Sequence, residues 1–294
     1  MSQITEPRRA GAIACALVTL TVSVAAAPQA ARHRTFTAAH DAVQALIAAV
    51  RTGNLDELKA IFGPDGEALI ASSDPATGRR NREVFSVAVA EQWRLADDSP
   101  TRKTLVIGNE EWPFPVPIVK DASGWRFDTA AGKEEVLARR IGRNELEVIQ
   151  TCLAYVTAQQ RYAKEGHDGK AAGAYASKFS SDPGKENGLY WPAGRGQKRS
   201  PLGDLVAQAA EGGSPVGASR EQPTPFHGYY FKILTSAGGF GLVAWPAEFN
   251  VTGVMTFVVN QDGVVLQKDL GPGTDAAARK MTAYSPDASW HNSQ

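Results

Sequence analysis

The run AGKEEVLARRIGRNELEVIQTCLAYVTAQQRY, residues 131–162, is the longest helical pattern in the chain and divides it in two. Leu146, Ile149, Leu153 and Val156 recur at three- and four-residue spacing, which predicts an apolar stripe along one helical face. Glu135 with Arg139 and Arg143 with Glu147 stand four apart with opposite sign, the spacing of ion pairs on a solvated face. Gly142 lies between the charged and the apolar stretch. Glycine inside a helix is about 1 kcal/mol less favourable than alanine, so a kink or break is expected there, with the second piece opening a second domain.

Upstream, the pattern is helices followed by strands. Val43, Leu46, Ile47 and Val50 keep helical spacing and Gly53 follows as a stop. Asn54 three residues before Glu57 reads as a capping-box start for a second helix that Gly63-Pro64 ends. Phe85, Val89 and Trp93 share a face and predict a third helix over 79–93. The period then changes to two at Leu105 and Ile107, and again at Trp125 and Phe127 after the turn 121–124. Between them WPFPVP (112–117) lacks too many N–H donors for a central strand and is expected at an edge. Helices on an antiparallel sheet make residues 36–130 an α+β domain.

Downstream, residues 180–224 are rich in Gly and Pro and predict a long loop, interrupted by a short helix near 202–210. Alternating strands follow at Tyr229–Ile233, Phe240–Trp245, Val254–Val259 and Val264–Lys268, an antiparallel meander. Asn260-Gln261-Asp262-Gly263 is the turn between the last two. The second domain is expected over 131–284, with 285–294 as a C-terminal tail.

The first 27 residues read as a cleaved signal peptide: Arg8 and Arg9, an uncharged apolar run from Ala10 to Val24, and Ala25-Ala26-Ala27 before Pro28. This predicts a periplasmic or extracellular protein with no membrane insertion after processing. The chain carries 31 Lys+Arg against 31 Asp+Glu, and a near-zero balance offers no electrostatic footprint for nucleic acid. Of its two cysteines only Cys152 lies beyond the leader, so an internal disulfide is not expected.

No metal or cofactor is expected, because no two histidines stand at a ligand spacing on one element, and no phosphate loop, dinucleotide fingerprint or G-x-S-x-G elbow occurs. Cys152 with His227 is a conceivable nucleophile and base, but Cys152 borders the apolar stripe, where a thiol behaves as a small hydrophobe. Residues 165–170, EGHDGK, offer only Glu165 and Asp168 as calcium ligands and read as a helix-ending turn. Aromatic side chains gather in the second domain. Tyr190, Trp191, His227 and Tyr230 are the candidate partner surface, whereas Tyr229 and Trp245 are expected in the sheet core. In the first domain Trp93, Trp112 and Trp125 are candidate walls of an apolar ligand pocket.

Four long strings carry a resemblance: GWRFDTAAGKEEVLARRIGRNEL (124–146), YASKFSSDPGKENGLYWP (175–192), HGYYFKILT (227–235) and GVMTFVVNQDGVVLQKDLG (253–271), together with WPFPVPIV (112–119). They resemble a bacterial envelope family known as domain of unknown function 2950, over nearly the whole mature chain. The resemblance implies no activity and no catalytic residue. Relatives usually carry a longer glycine-rich insert where this chain passes directly from Thr235 to Phe240. The first domain also looks like cone-shaped α+β folds of the nuclear-transport-factor type, and the second like the soluble part of type IV pilins and pseudopilins. These analogies imply a non-catalytic interaction or assembly module that engages an envelope protein or surface polymer. A periplasmic small-ligand binder is the alternative, and an uncharacterised enzyme the third.

Overall fold

The computed structural model describes residues 33–70, 75–167, 171–193, 198–203, 205 and 224–293. The proposed leader and most of the short helix expected near 202–210 lie outside them. The fold is α+β, with two antiparallel sheets.

Helices α1 (Ala39–Thr52), α2 (Leu55–Phe62), α3 (Glu67–Ile70) and α4 (Pro75–Glu91) precede the first sheet. The caps act where the sequence places them. Asn54 Oδ1 accepts from the Glu57 amide at 3.0 Å, and Gly53 ends α1 with φ 65°, a left-handed conformation that glycine adopts without a Cβ clash. The sheet comprises β1 (Trp93–Ser99), β2 (Arg102–Ile107), β3 (Trp112–Pro113), β4 (Ile118–Asp121) and β5 (Gly124–Phe127) in the order β1-β2-β4-β5, with β3 against β2. The proline-rich segment is thus the short, peripheral β3. Trp93 is not the end of a helix, as its spacing from Phe85 and Val89 suggested. It opens β1, because Gln92 switches its bonds to the sheet: its amide Nε2 donates to Gly108 O at 3.2 Å and its carbonyl accepts from Gly108 N at 3.0 Å. The helices and this sheet enclose one core that includes Val43, Leu46, Ile61, Phe62, Leu105, Ile118 and Phe127.

Helix α5 runs from Thr129 to Glu165, 37 residues, without a break at Gly142. It starts under an Asp128 cap whose Oδ1 accepts from Ala131 N at 3.3 Å. Its buried face is rotated from the expected apolar stripe, which keeps Val156 in the core, places Ile149 and Leu153 at its margin and leaves Leu146 outside. Val148, Thr151, Cys152, Tyr155, Val156, Ala158, Gln159 and Tyr162 are buried, whereas Leu146 is 66% exposed and Ile149 and Leu153 are half-buried beside the core.

The second sheet has strands β6 (Tyr229–Ser236), β7 (Gly239–Pro246), β8 (Met255–Asn260), β9 (Leu266–Asp269) and β10 (His291–Asn292), in the order β10-β9-β8-β7-β6. The β6–β7 hairpin turns through Ala237-Gly238, with Gly238 at φ 69°. The β8–β9 connection begins with the expected turn, in which Gly263 has φ 76° and Asp262 N donates to Asn260 Oδ1 at 3.2 Å. The two-residue alternation sorts the side chains. Tyr229, Phe240, Leu242, Ala244, Phe257 and Val259 face α5, while Leu234, Val243, Trp245 and Val258 face a helix that the sequence pattern did not reveal, α6 (Thr274–Lys280). The final residues, expected as a tail, return to the sheet: β10 pairs with β9, and Ser293 N donates to Val265 O at 3.0 Å.

Candidate functional site

Helix α5 is the element that reaches both cores, and its anchors are the best-defined polar groups in the protein. At the first core, Thr129 Oγ1 donates to Phe62 O at 2.6 Å. Ten residues on, Arg139 Nη1 donates to Pro113 O at 2.8 Å while its guanidinium lies 5.3 Å from the Trp112 ring and its Nε pairs with Glu135 at 2.7 Å. At the second core, Asn144 Nδ2 donates to Thr252 O at 2.8 Å. Glu145 Oε1 accepts from the Val254 and Met255 amides at 2.9 and 3.0 Å. One carboxylate thereby closes the two backbone donors that lead into β8. The Tyr229 hydroxyl has a single proton, which goes to Met255 O at 3.0 Å, with Glu145 farther off at 3.4 Å. Burial, and then the charge of Glu145, raise the Tyr229 phenol above its ordinary value.

Farther along α5 the fully buried Gln159 clamps the loop that follows the helix. Its Nε2 donates to Ala176 O at 2.8 Å and to the Tyr155 hydroxyl at 3.0 Å, and its Oε1 accepts from Ala176 N at 2.9 Å. Tyr155 passes its own proton to Gly241 O at 3.1 Å on β7. Cys152 beside them is buried, and desolvation pushes its thiol up to about 12. Burial thus favours the protonated thiol. At the end of α5 the ring of His167 stacks on Tyr162, with centroids 4.3 Å apart, and lies 5.4 Å from Trp191. Its Nδ1 is 3.0 Å from Glu186 Oε2 and, facing a carboxylate, carries the proton. Lys198 pairs with Glu165 and holds that carboxyl below its usual range.

The candidate partner residues do not form one patch. Trp191 is 8% exposed and packs in the core on the α5 side of the second sheet. Tyr190 is half-buried against the same core, its amide donating to Phe179 O at 2.7 Å. Tyr230 packs on the opposite side, beneath Arg279, which lies 5.6 Å from its ring and 5.8 Å from that of Trp245. Asp275 receives the Trp245 Nε1 proton at 2.9 Å and the Arg279 Nε at 2.8 Å, docking α6. The Arg279 hydrogen bond, then that of Trp245, hold the Asp275 carboxyl below the ordinary aspartate range. His227 is the accessible member, at φ 49° in the turn before β6, with Nε2 4.0 Å from Glu147.

Trp93, Trp112 and Trp125 share the helix-facing side of the first sheet but stand apart on it. Trp93 and Trp112 flank Ile107 in register, whereas Trp125 pairs with Lys120 near the start of β2. Lys120 is level with Thr101, so six residues, about 20 Å at strand rise, separate the two positions. Between them the fully buried Leu105, Ile118 and Phe127 fill the face. Trp112 is 45% exposed and Trp125 7%. A shallow groove elsewhere, on the second sheet, is lined by Met255, Gln267, Lys268, Asp269, Ser289 and His291. Sequence reading missed the Glu145, Gln159 and His167 anchors, because each polar side chain meets partners far off in the chain.

The geometry defines a two-core α+β protein in which buried polar side chains tie one long helix to loops and strands. The chain belongs to the family described as protein of unknown function (DUF2950), whose model matches residues 33–293. No curated protein and no solved structure matches it.

Proposed function

We propose that this is an exported envelope protein acting without catalysis as an interaction or assembly module that bridges two partners. The observation that carries the reading is the build of α5: no residue from Lys133 to Glu147 is buried, while Thr129 and Gly132 at its start are buried against Phe62 and Val116 and its second half lines the core of the second sheet. With Val136, Leu137 and Ile141 only half-buried and Lys133, Glu134, Arg140 and Arg143 exposed, this middle suits a bridge between bodies more than a core element. The last anchor to the first sheet, Arg139, and the first to the second core, Asn144, stand about 7.5 Å apart at helical rise. The leader pattern supports export, and a long helix laid on an antiparallel meander supports the likeness to pilin-type assembly domains. The thiol of Cys152, held protonated by burial, supports a structural rather than a nucleophilic role.

The partner surface of the second core is assigned to the accessible residues on and beside α5: Leu146 at 66% exposed, half-buried Ile149 and Leu153, and His227 in the adjoining turn. Its occupant is an envelope protein that presents apolar side chains. Cross-linking capture from envelope extracts is expected to recover a protein partner that Leu146→Asp and His227→Ala together lose. Leu146 is exposed and His227 half-buried beside Phe226, so circular dichroism of the double variant checks its fold before capture. Retention of the same partner by the folded double variant, or recovery of a polysaccharide alone, overturns the assignment.

A further inference from the structure

We infer that α5 carries a built-in joint at residues 140–143, centred on Gly142, about which the two cores bend relative to each other. The bounds come from the anchors. Arg139 is the last α5 side chain that the first sheet holds by a hydrogen bond, to Pro113 O at 2.8 Å. Asn144 is the first held by the second core, to Thr252 O at 2.8 Å, and Glu145 follows with two backbone amides. Only Arg140, Ile141, Gly142 and Arg143 lie between. None of the four is buried, and Ile141 belongs to neither core.

Glycine at 142 is not required by packing. A Cβ there meets nothing within 4 Å, unlike Gly132, where it would come within 2.7 Å of Val116 Cγ2. Nor does it serve a left-handed turn, since its backbone is helical and its φ is not among the positive ones. What glycine contributes is a local weakness. It widens the conformations open to the backbone and lowers the helix's resistance to opening at the one place where neither core holds it. Elsewhere the anchors suppress the same motion. The helix therefore has a stiff arm on each side of a soft four-residue centre, the arrangement of a hinge whose residues absorb the dihedral change. The inference adds motion to the bridging reading and rests on it for biological meaning only. Partner capture can fail while the joint stands, and the converse.

The test uses the full chain with Cys15 replaced by serine and spin labels on Val87→Cys in α4 and Val264→Cys beside β9, both exposed, at 63% and 43%. Buried Cys152 stays unlabelled. Pulsed dipolar spectroscopy is expected to give a broad distance distribution with a minor bent population. Gly142→Ala should reduce that population about two- to fivefold, the change expected when alanine replaces a helix glycine at an unstrained site. Ala138→Gly weakens the helix by a similar amount inside the anchored arm and should leave the distribution unchanged. A single narrow distribution that is the same in wild type and Gly142→Ala overturns the joint. Broadening by Ala138→Gly also overturns it, because the flexibility then belongs to the helix as a whole.

Discussion

Gly253→Ala is expected to destabilise the protein by about 3 kcal/mol or more, since overpacking a core and breaking a buried hydrogen bond each cost about 1–3 kcal/mol. A Cβ at 253 would stand 1.9 Å from the Tyr229 hydroxyl oxygen, 2.4 Å from Cζ and 2.5 Å from Cε2. Tyr229 has no room to yield. It is fully buried, tilted against Phe257 at 5.9 Å, and bonded to Met255 O at 3.0 Å. Moving the ring breaks that bond and pulls on the neighbouring Glu145 contacts, which hold α5 to β8. Denaturant unfolding checks it through the midpoint. A shift worth less than about 0.5 kcal/mol, the range of innocuous surface changes, would show that this contact is looser than described.

Gln159→Leu is expected to cost about 2–4 kcal/mol, although leucine is close to glutamine in size and suits a buried site. The substitution strands both polar groups of Ala176, which is 4% exposed and receives two of the three Gln159 bonds. A buried backbone donor or acceptor without a partner costs about 1–3 kcal/mol, and here two are created at once. Tyr155 retains its bond to Gly241 O, so the damage should centre on the loop rather than on β7. Faster proteolysis within residues 171–193, together with the lowered midpoint, is the expected pattern. Unchanged stability would mean that the loop does not depend on this clamp.

What the sequence discloses tracks how local the physics is. The Gly53 stop, the Gly263 turn and the Asn54 half of the expected capping box are each settled within a few residues and found as read, while Asn54 N donates to Ala49 O at 2.9 Å instead of to Glu57. The strands of the second sheet are legible because apolar side chains alternate on both faces. Trp93 misled because its four-residue distance from Val89 fits a helix, while the bonds that end α4 come from Gly108 across the sheet. The face of α5 misled for a related reason. Tyr155, Gln159 and Tyr162 look too polar for a core stripe until Gly241, Ala176 and Glu186 supply their partners. Leu146 looks buried yet points outward. Gly142 does not break the helix because the cost of one glycine is small beside anchors on either side. Helix α6 has seven residues and owes its place to Asp275 and Arg279 meeting Trp245 and Tyr230, contacts that no periodicity reveals.

The candidate site was legible only residue by residue. Strand alternation sends Tyr230 to the side opposite Tyr229, but the path of the loop that brings Trp191 to the α5 side depends on long-range bonds such as Leu202 N to Leu189 O and Tyr190 N to Phe179 O. Trp191 and Tyr230 are therefore separated by the sheet, and the accessible surface beside them runs along α5 instead.

Two cores are joined through the middle of one continuous helix, where no residue from Lys133 to Glu147 is buried. Native-state hydrogen exchange along α5 tests this claim most directly, because opening energies range from near zero in weakly held segments to the global value in cores. Amides of residues 140–146 are predicted to exchange at least about a hundredfold faster than those of residues 152–162, after correction for intrinsic rates. Uniform slow exchange from Thr129 to Glu165 would contradict the claim, since it would make α5 one cooperative rod buried along its whole length.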